Sequence, residues 1–271
     1  MTHIRLIGLP TDINSSFERG AAKAPEAIRS ALLSDRGNMA SETGLEAGTD
    51  FHFTDVGNLH LTENTPVDDE RIRHAVGAAL GAGEVPLCLG GDHAVSFPIL
   101  QAIAASCGPV DILHIDAHPD TYDNFSGNPR SHASPFARIM EAGLARRLVQ
   151  VGIRTMNSHC RAQAARFGIE TIEMRDFALE RVTGFDRPTY ISIDLDGIDP
   201  AYAPGVSHPE PGGLTVREVL ALIRKIAGPI LGADIVELNP HRDIGEVTAI
   251  LAAKLVREIA AQAHLNNMGQ R

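Results

Sequence analysis

The sequence lacks any run or stripe of basic residues, although lysine and arginine account for 24 of its 271 residues. Aspartate and glutamate outnumber them at 34, so the formal net charge is −10. Proteins that bind nucleic acids usually carry a clustered basic surface that follows the phosphates. We therefore expect no nucleic-acid partner. The acidic excess suits a site that collects cations, but a solvated acidic surface explains the same net charge.

Long apolar runs and paired cysteines are missing as well. No stretch approaches the ~20 apolar residues that a membrane span requires. The start, MTHIRLIGLP, has no basic segment followed by a long apolar run. These absences predict a cytoplasmic protein that does not bind a membrane. Three cysteines, Cys88, Cys107 and Cys160, form no C-x-x-C pair, and we expect them to be buried thiols in a reducing compartment.

Short runs of Val, Ile and Leu alternate with helical stretches, without repeats or long linkers. This pattern is typical of one α/β domain, residues 1–271, with a parallel sheet covered by helices on both faces. The predicted strands span residues 3–8, 51–56, 85–90, 110–116, 148–152, 169–173, 189–194 and 230–237. The predicted helices span residues 25–33, 68–82, 97–106, 135–142, 161–166, 216–226 and 246–263.

Ligands of open α/β sheets bind beyond the carboxyl ends of the strands, so the loops that follow the strands are the places to look for chemistry. In LCLGGDH, residues 87–93, two glycines allow a tight turn that places His93 over the sheet edge. A plain Gly-Gly turn followed by Asp92 as a helix cap explains this loop equally well.

Two further loops are rich in acids. In HIDAHPD, residues 114–120, Asp116, His118 and Asp120 are spaced by two, so an extended strand end would point all three to one side. In ISIDLDGIDP, residues 191–200, Asp194 and Asp196 share a face in the same way. Such charges are costly without a counter-charge, and a cation is the simplest one. Accidental spacing, capping and turn formation remain the alternatives.

Together the loops offer four carboxylates and two imidazoles, with no thiolate among them. This donor set suits manganese better than zinc or copper. Two ions bridged by a water would supply a hydroxide near neutral pH, so we expect a hydrolase. Two divalent ions, four aspartates and a hydroxide sum to a negative charge, which favours a cationic guanidinium substrate over a phosphate.

The sequence resembles the ureohydrolases, the superfamily of arginases and agmatinases, from near its start to its last helix. The resemblance to plant-type arginases is greatest in residues 131–143 and 203–213. The motifs that carry it are GGDH at 90–93, DAHPD at 116–120, SIDLDGIDP at 192–200 and DIVELNP at 234–240.

The resemblance implies a three-layer α/β/α fold around a mostly parallel eight-stranded sheet, and a homo-oligomer that is a trimer or a hexamer. It implies two Mn²⁺ ions per chain, held by His93, Asp116, His118, Asp120, Asp194 and Asp196. The catalytic residues would be Asp120, His132, which shuttles protons to the leaving amine, and Glu237, which pairs with the guanidinium; His208 would help to shape the substrate end. From the residues alone, His132 is also compatible with a place beside a helix cap and Glu237 with a structural salt bridge.

The substrate tail is the least defined part of this prediction. Animal arginases hold it through a Ser-Gly-Asn segment, and this chain has Ser126, Gly127 and Asn128, but three further residues intervene before His132. One of them, Arg130, is our candidate partner for a substrate carboxylate, with a solvent-facing arginine as the alternative.

The leading prediction is hydrolysis of L-arginine to L-ornithine and urea. Hydrolysis of agmatine to putrescine and urea is the main alternative, followed by other guanidino compounds. A metal-dependent deacetylase with one zinc and a non-catalytic family member are the alternatives from other classes. The sequence does not distinguish manganese from nickel.

Overall fold

A single eight-stranded sheet organises the protein in the computed structural model, which describes residues 1–269. The strand order is β2-β1-β3-β8-β7-β4-β5-β6, and every neighbouring pair is parallel. This confirms the predicted sheet, which is parallel throughout. The strands are β1 (Thr2–Gly8), β2 (Phe51–Asn58), β3 (Val85–Leu89), β4 (Val110–Ile115), β5 (Ala145–Ile153), β6 (Glu170–Glu173), β7 (Thr189–Asp194) and β8 (Ile230–Val236).

Helices cover both faces of the sheet. They are α1 (Ala24–Leu32), α2 (Thr65–Gly81), α3 (Ser96–Cys107), α4 (Pro135–Glu141), α5 (Ser158–Phe167), α6 (Val216–Arg224) and α7 (Val247–Met268). Apolar residues of α1, α6 and α7 form one buried cluster with the sheet, and those of α2, α3 and α4 form the other. Successive side chains of a strand point to opposite faces of the sheet. In β4, Leu113 therefore belongs to the first cluster and Ile112 to the second. The three-layer α/β/α architecture is confirmed.

Local capping explains two helix starts that the sequence prediction placed too late. Helix α2 begins at Thr65, three residues early, because the side chain of Asn64 accepts a hydrogen bond from the backbone N–H of Val67. Helix α5 begins at Ser158 because Asn157 caps it through Cys160 N at 2.9 Å. The prediction of three buried thiols is wrong for Cys107, which is exposed in the last turn of α3.

The topology decides where the site lies. Strands β3, β8, β7 and β4 are adjacent at the centre of the sheet, and all of them run in one direction. The loops after these four strands therefore meet above the same edge. No helix within residues 1–269 is long and apolar enough to span a membrane. A single domain over residues 1–271 stays a prediction, and its last two residues lie outside the described part.

Candidate metal centre and active site

Asp116, the first residue after β4, lies at the centre of the acidic cluster and is completely buried. Its Oδ2 atom is 3.2 Å from Nδ1 of His93, and its Oδ1 atom is 3.5 Å from Nδ1 of His118. The carboxylate thus stands between two histidines that come from different loops.

Each histidine gathers further acids around it. Nδ1 of His93 lies 3.1 Å from Oδ2 of Asp120 and 3.2 Å from Oδ2 of Asp194. Nδ1 of His118 lies 3.1 Å from Oδ2 of Asp196. The six predicted metal ligands are therefore in one place, as two groups that share Asp116.

The local backbone differs from the predicted extended geometry. Strand β4 ends before Asp116, and Asp120 adopts a left-handed conformation with φ of 50°. Asp196 lies in the 3₁₀ turn Leu195–Gly197, where Asp194 accepts a hydrogen bond from its N–H at 2.9 Å. Loop conformation, rather than the alternation of a strand, therefore makes the acids converge. A left-handed non-glycine residue costs about 1–3 kcal/mol, which is a common cost at functional sites.

The carboxylates repel one another because burial removes the solvent that would screen them. Burial and the charges of Asp196 and Asp116 hold the pKa of Asp194 well above its usual value. Burial and the charge of Asp116 likewise raise the pKa of Asp120 to about 7. Within residues 1–269 no lysine or arginine forms an ion pair with any of the four acids. The cluster therefore lacks a permanent positive charge of its own.

The orientation of His93 shows that the cluster fits a divalent cation. Asp234 accepts hydrogen bonds from the hydroxyls of Ser192 at 2.7 Å and Tyr190 at 2.6 Å. Because the Ser192 proton is used there, its oxygen accepts the Nε2–H of His93 at 2.9 Å. Nδ1 of His93 is buried, and three carboxylate oxygens lie within 3.2 Å of it. Burial lowers the pKa of His93, but Asp116, Asp120 and Asp194 outweigh this effect and hold the pKa well above its usual value. A proton on Nδ1 or a divalent cation bound by Nδ1 and these oxygens would satisfy the carboxylates, so the donor set fits a metal ion.

His132 and Glu237 form a pair beside this cluster. Glu237 directly follows β8, and its Oε1 accepts hydrogen bonds from His93 N and from Nδ1 of His132, both at 2.8 Å. Burial lowers the pKa of His132, but the charge and hydrogen bond of Glu237 outweigh it and raise the pKa to about 9. Burial raises the pKa of Glu237, and the imidazolium outweighs that effect and lowers it.

Sequence reasoning missed Ser16, whose Oγ lies 2.8 Å from Nε2 of His132. It belongs to the loop after β1, where Asp12 accepts hydrogen bonds from Arg19 Nε and Gly20 N, both at 2.7 Å. The position of this loop could have indicated it, because the loop also follows the carboxyl end of a strand.

A cavity of about 270 Å³ opens over the cluster. His208 forms part of its wall, with its ring centroid 5.1 Å from that of His132 and 6.1 Å from that of His118. The other residues that line the cavity are Ser16, His118, Pro119, Asp120, Tyr122, Phe125, His132, Ala133, Thr155, Cys160, Asp194, Asp196 and Glu237.

The predicted tail-binding residues do not line this cavity. Both oxygens of Asp69 accept hydrogen bonds from Nη2 of Arg130 at 2.8 Å, and the guanidinium lies 4.7 Å from the ring centroid of Phe97. Asn128 donates to Asn14 at 3.2 Å and accepts from the backbone of Arg130 at 2.8 Å. Ser126 occupies a left-handed turn position with φ of 53°. In the structure Asp69 of α2 is the partner of Arg130, and the predicted contact of Arg130 with a substrate carboxylate stays a prediction.

Known proteins resemble this chain over nearly its full length. "Arginase 1, mitochondrial" of Arabidopsis thaliana is 48% identical over 273 residues, which cover 95% of this chain and 80% of that protein. "Agmatinase, mitochondrial" of Gallus gallus is 38% identical, with 93% and 78% covered. The solved arginase of Medicago truncatula superposes with a TM-score of 0.90 at 42% identity, over 97% of this chain and 87% of that one.

These names correct one expectation from the sequence. The prediction of a cytoplasmic protein is wrong, because similar plant arginases carry mitochondrial or chloroplastic names. The composition of the first residues was too weak a basis for assigning a compartment.

The family model described as "Arginase family" matches residues 2–261. Together with the identity to plant arginases and the shared fold, this match confirms the resemblance in the sequence motifs. Members of the family hydrolyse carbon–nitrogen bonds of small guanidino compounds. The chain belongs to the arginase family and is a hydrolase of this kind.

Proposed function

We propose that the chain hydrolyses L-arginine to L-ornithine and urea with two manganese ions. The observation that carries the proposal is the convergence of six potential ligands, Asp116 and five residues around it. Four of the six line the cavity together with Glu237. The identity to plant arginases supports the choice of substrate.

The two groups around Asp116 suggest how the ions are shared. His93, Asp120 and Asp194 would hold one ion, His118 and Asp196 the other, and Asp116 would contact both. When bound, such a pair of ions supplies a hydroxide nucleophile at neutral pH by lowering the pKa of water. The oxygen-rich donor set without thiolates favours manganese, and nickel is the second choice.

Glu237 is the residue we assign to the guanidinium. Both hydrogen bonds recorded for its side chain within residues 1–269 end on Oε1, which leaves Oε2 for a substrate. A guanidinium N–H donated to this oxygen would form a charge-assisted hydrogen bond. The left-handed backbone of Glu237, with φ of 65°, fixes the carboxylate at the end of β8.

His132 is the residue we assign to proton transfer. Its Nδ1 is held by Glu237, and its Nε2 faces the cavity near Ser16. The backbone N–H of Ser16 donates to Nε2 at 3.1 Å, so this nitrogen presents a lone pair that can take up a proton and then release it to the leaving amine nitrogen. Asp120 lines the same cavity and is the third catalytic residue that we propose.

One observation favours agmatine as the substrate instead. Among the described residues that line the cavity there is no lysine or arginine, and Arg130 pairs with Asp69. Agmatine has no carboxylate and needs no such cation. Arginine would rely on uncharged donors in the wall, such as Thr155 and Tyr122.

A substrate panel with urea as the readout tests the proposal. Protein loaded with Mn²⁺ or with Ni²⁺ is assayed on arginine, agmatine and guanidinobutyrate, and its metal content is measured by mass spectrometry. We expect two ions per chain and the highest kcat/KM for arginine with Mn²⁺. A higher value for agmatine would replace the leading substrate, and one ion per chain without urea release would refute the proposal.

We also propose that the chain forms a homo-oligomer, either a trimer or a hexamer. The support is the resemblance to a family whose members are usually of these sizes. Light scattering coupled to size-exclusion chromatography gives the mass directly, and a monomer would contradict the proposal.

A further inference from the structure

His114 is a buried histidine that the assignments above do not use. It lies in β4, two residues before Asp116, with its ring stacked on Phe136 at a centroid distance of 3.8 Å. Its Nε2 is 2.8 Å from Oδ2 of Asp116. At this position His114 is either a seventh metal ligand or a hydrogen-bond donor to the shared carboxylate. The two roles differ in which ring nitrogen carries the hydrogen.

Gln150 of β5 distinguishes the two roles. Its side chain is completely buried, and its Nε2 lies 2.6 Å from the carbonyl oxygen of Pro119. A carbonyl oxygen can only accept, so the group that faces it must be the NH₂ of the amide. The amide oxygen on the other side accepts from the hydroxyl of Thr171 at 3.3 Å, which agrees with this orientation.

The second hydrogen of the same NH₂ points at His114. Nε2 of Gln150 is 3.0 Å from Nδ1 of His114, so Nδ1 accepts and carries the lone pair. A neutral imidazole has a single N–H, which must then be on Nε2. Nε2 therefore donates to Asp116 and has no lone pair left for a metal ion.

We propose that Gln150 and His114 are positioning residues of the metal centre. Gln150 fixes the tautomer of His114 and ties β5 to the carbonyl of Pro119, in the loop between Asp116 and Asp120. His114 in turn fixes the carboxylate of Asp116, the acid that both groups of ligands share. The inference rests on the proposed role of Asp116 as a ligand.

The expected size of the effect follows from partners of this kind in other metal sites. Residues that orient ligands usually change metal affinity or activity by about 10–100-fold when they are removed. We expect a loss in this range for Mn²⁺ affinity in Gln150→Leu and in His114→Phe. The phenylalanine keeps an aromatic ring against Phe136 and removes both ring nitrogens, the donor to Asp116 and the acceptor from Gln150.

Calorimetric titration of the metal-free protein with Mn²⁺ measures the affinity without any substrate. Gln262→Leu is the matched control, because Nε2 of Gln262 also donates to a backbone carbonyl, that of Ile226 at 3.0 Å, but on α7. We expect wild-type affinity in this variant. Circular dichroism of each metal-free variant establishes that it folds.

His114→Gln separates the donor role from the ligand role. The amide NH₂ of a glutamine reaches roughly the place of Nε2 in histidine, so we expect it to recover most of the affinity that His114→Phe loses. Affinity in His114→Gln as low as in His114→Phe, or unchanged affinity in Gln150→Leu, would overturn the inference. If Gln150→Leu does not fold, the two His114 variants still decide. A wild-type protein that takes up no Mn²⁺ would instead refute the proposed function.

Discussion

Two groups of acids in this protein have opposite electrostatic surroundings. On the surface, Glu42 pairs with Arg217 at 2.6 Å, Arg224 at 3.0 Å and Lys254 at 3.2 Å. Hydrogen bonds from Arg217 and Lys254 lower the pKa of Glu42 to about 2. In the candidate metal centre, burial and neighbouring carboxylates raise the pKa of Asp194 well above its usual value. Similar carboxyl groups are thus shifted in opposite directions within one chain.

The difference shows where the fold leaves a charge uncompensated. The surface acid finds its cations in the chain itself, so its charge is stable in the folded protein. The buried acids find only one another and histidines, so they require protons or external cations. Folding therefore leaves the buried acids at the carboxyl ends of the strands without a lysine or arginine partner, whereas it gives the surface acid Glu42 three such partners.

Asp194→Asn removes one charge from the metal centre and should have the largest effect. Its Oδ1 still accepts from Asp196 N, so the local turn is kept while repulsion falls. We expect the metal-free variant to melt at a higher temperature than metal-free wild type, and the stabilisation by Mn²⁺ to disappear. Activity should fall by more than about 100-fold, because a ligand matters more than its supporting partners. Thermal unfolding with and without Mn²⁺ and urea assays measure these effects.

Asp186→Asn is the matched control, an exposed acid just before β7 at the opposite edge of the sheet. We expect it to change neither the melting temperature nor the uptake of Mn²⁺. If metal-free Asp194→Asn were less stable than wild type and still bound Mn²⁺ normally, the contrast between the two groups of acids would be lost.

The contrast was only partly predictable from the sequence. Apolar runs that end in acids or histidine located the strands, and the parallel order brought Asp116, Asp194 and His93 to one edge. The left-handed turn of Asp120 was not predictable from spacing, because alternation suggested an extended strand.

Contacts between distant parts of the chain were beyond sequence reasoning. Arg130 turns towards Asp69, which is 61 positions away, and Ser16 reaches His132 across 116 positions. Such pairings depend on how helices and loops pack in three dimensions. Local patterns contain no information about them when a single sequence is available.

His132→Ala tests the pair of His132 and Glu237, in which the chain itself supplies the cation. The variant loses the imidazolium beside Glu237 but none of the six proposed ligands. We expect kcat to fall by about 10²–10⁴-fold, the usual contribution of a general acid or base. Both metal ions should remain, as measured by mass spectrometry. Loss of metal in this variant would mean that His132 belongs to the metal centre itself.

The pair of His132 and Glu237 should also make the free energy of unfolding depend on pH, with a defined sign and a smaller effect than the loss of activity in His132→Ala. In the folded protein the pKa of His132 is raised from 6.5 to about 9 by Glu237, against the effect of burial. A raised pKa means that the pair stabilises fully below about pH 6.5 and loses its effect as the pH rises through about 9. Urea unfolding of metal-free wild type and Glu237→Gln should therefore differ most at the acid end of this window. A difference that grows with pH would contradict the assignment.

Glu42→Gln should have the smallest effect on the free energy of unfolding, and this effect should be lost at acidic pH. The pKa of Glu42 is lowered from 4.5 to about 2, so its pairs stabilise the protein above about pH 4.5 and lose their effect as the pH falls through about 2. Exposed pairs contribute about 0–1 kcal/mol and are screened by salt. We therefore expect the difference from wild type in urea unfolding at pH 7 to shrink in high salt, with Mn²⁺ affinity unchanged. If Glu42→Gln weakened Mn²⁺ binding, the surface acids would be coupled to the metal centre, and the two groups would not be independent.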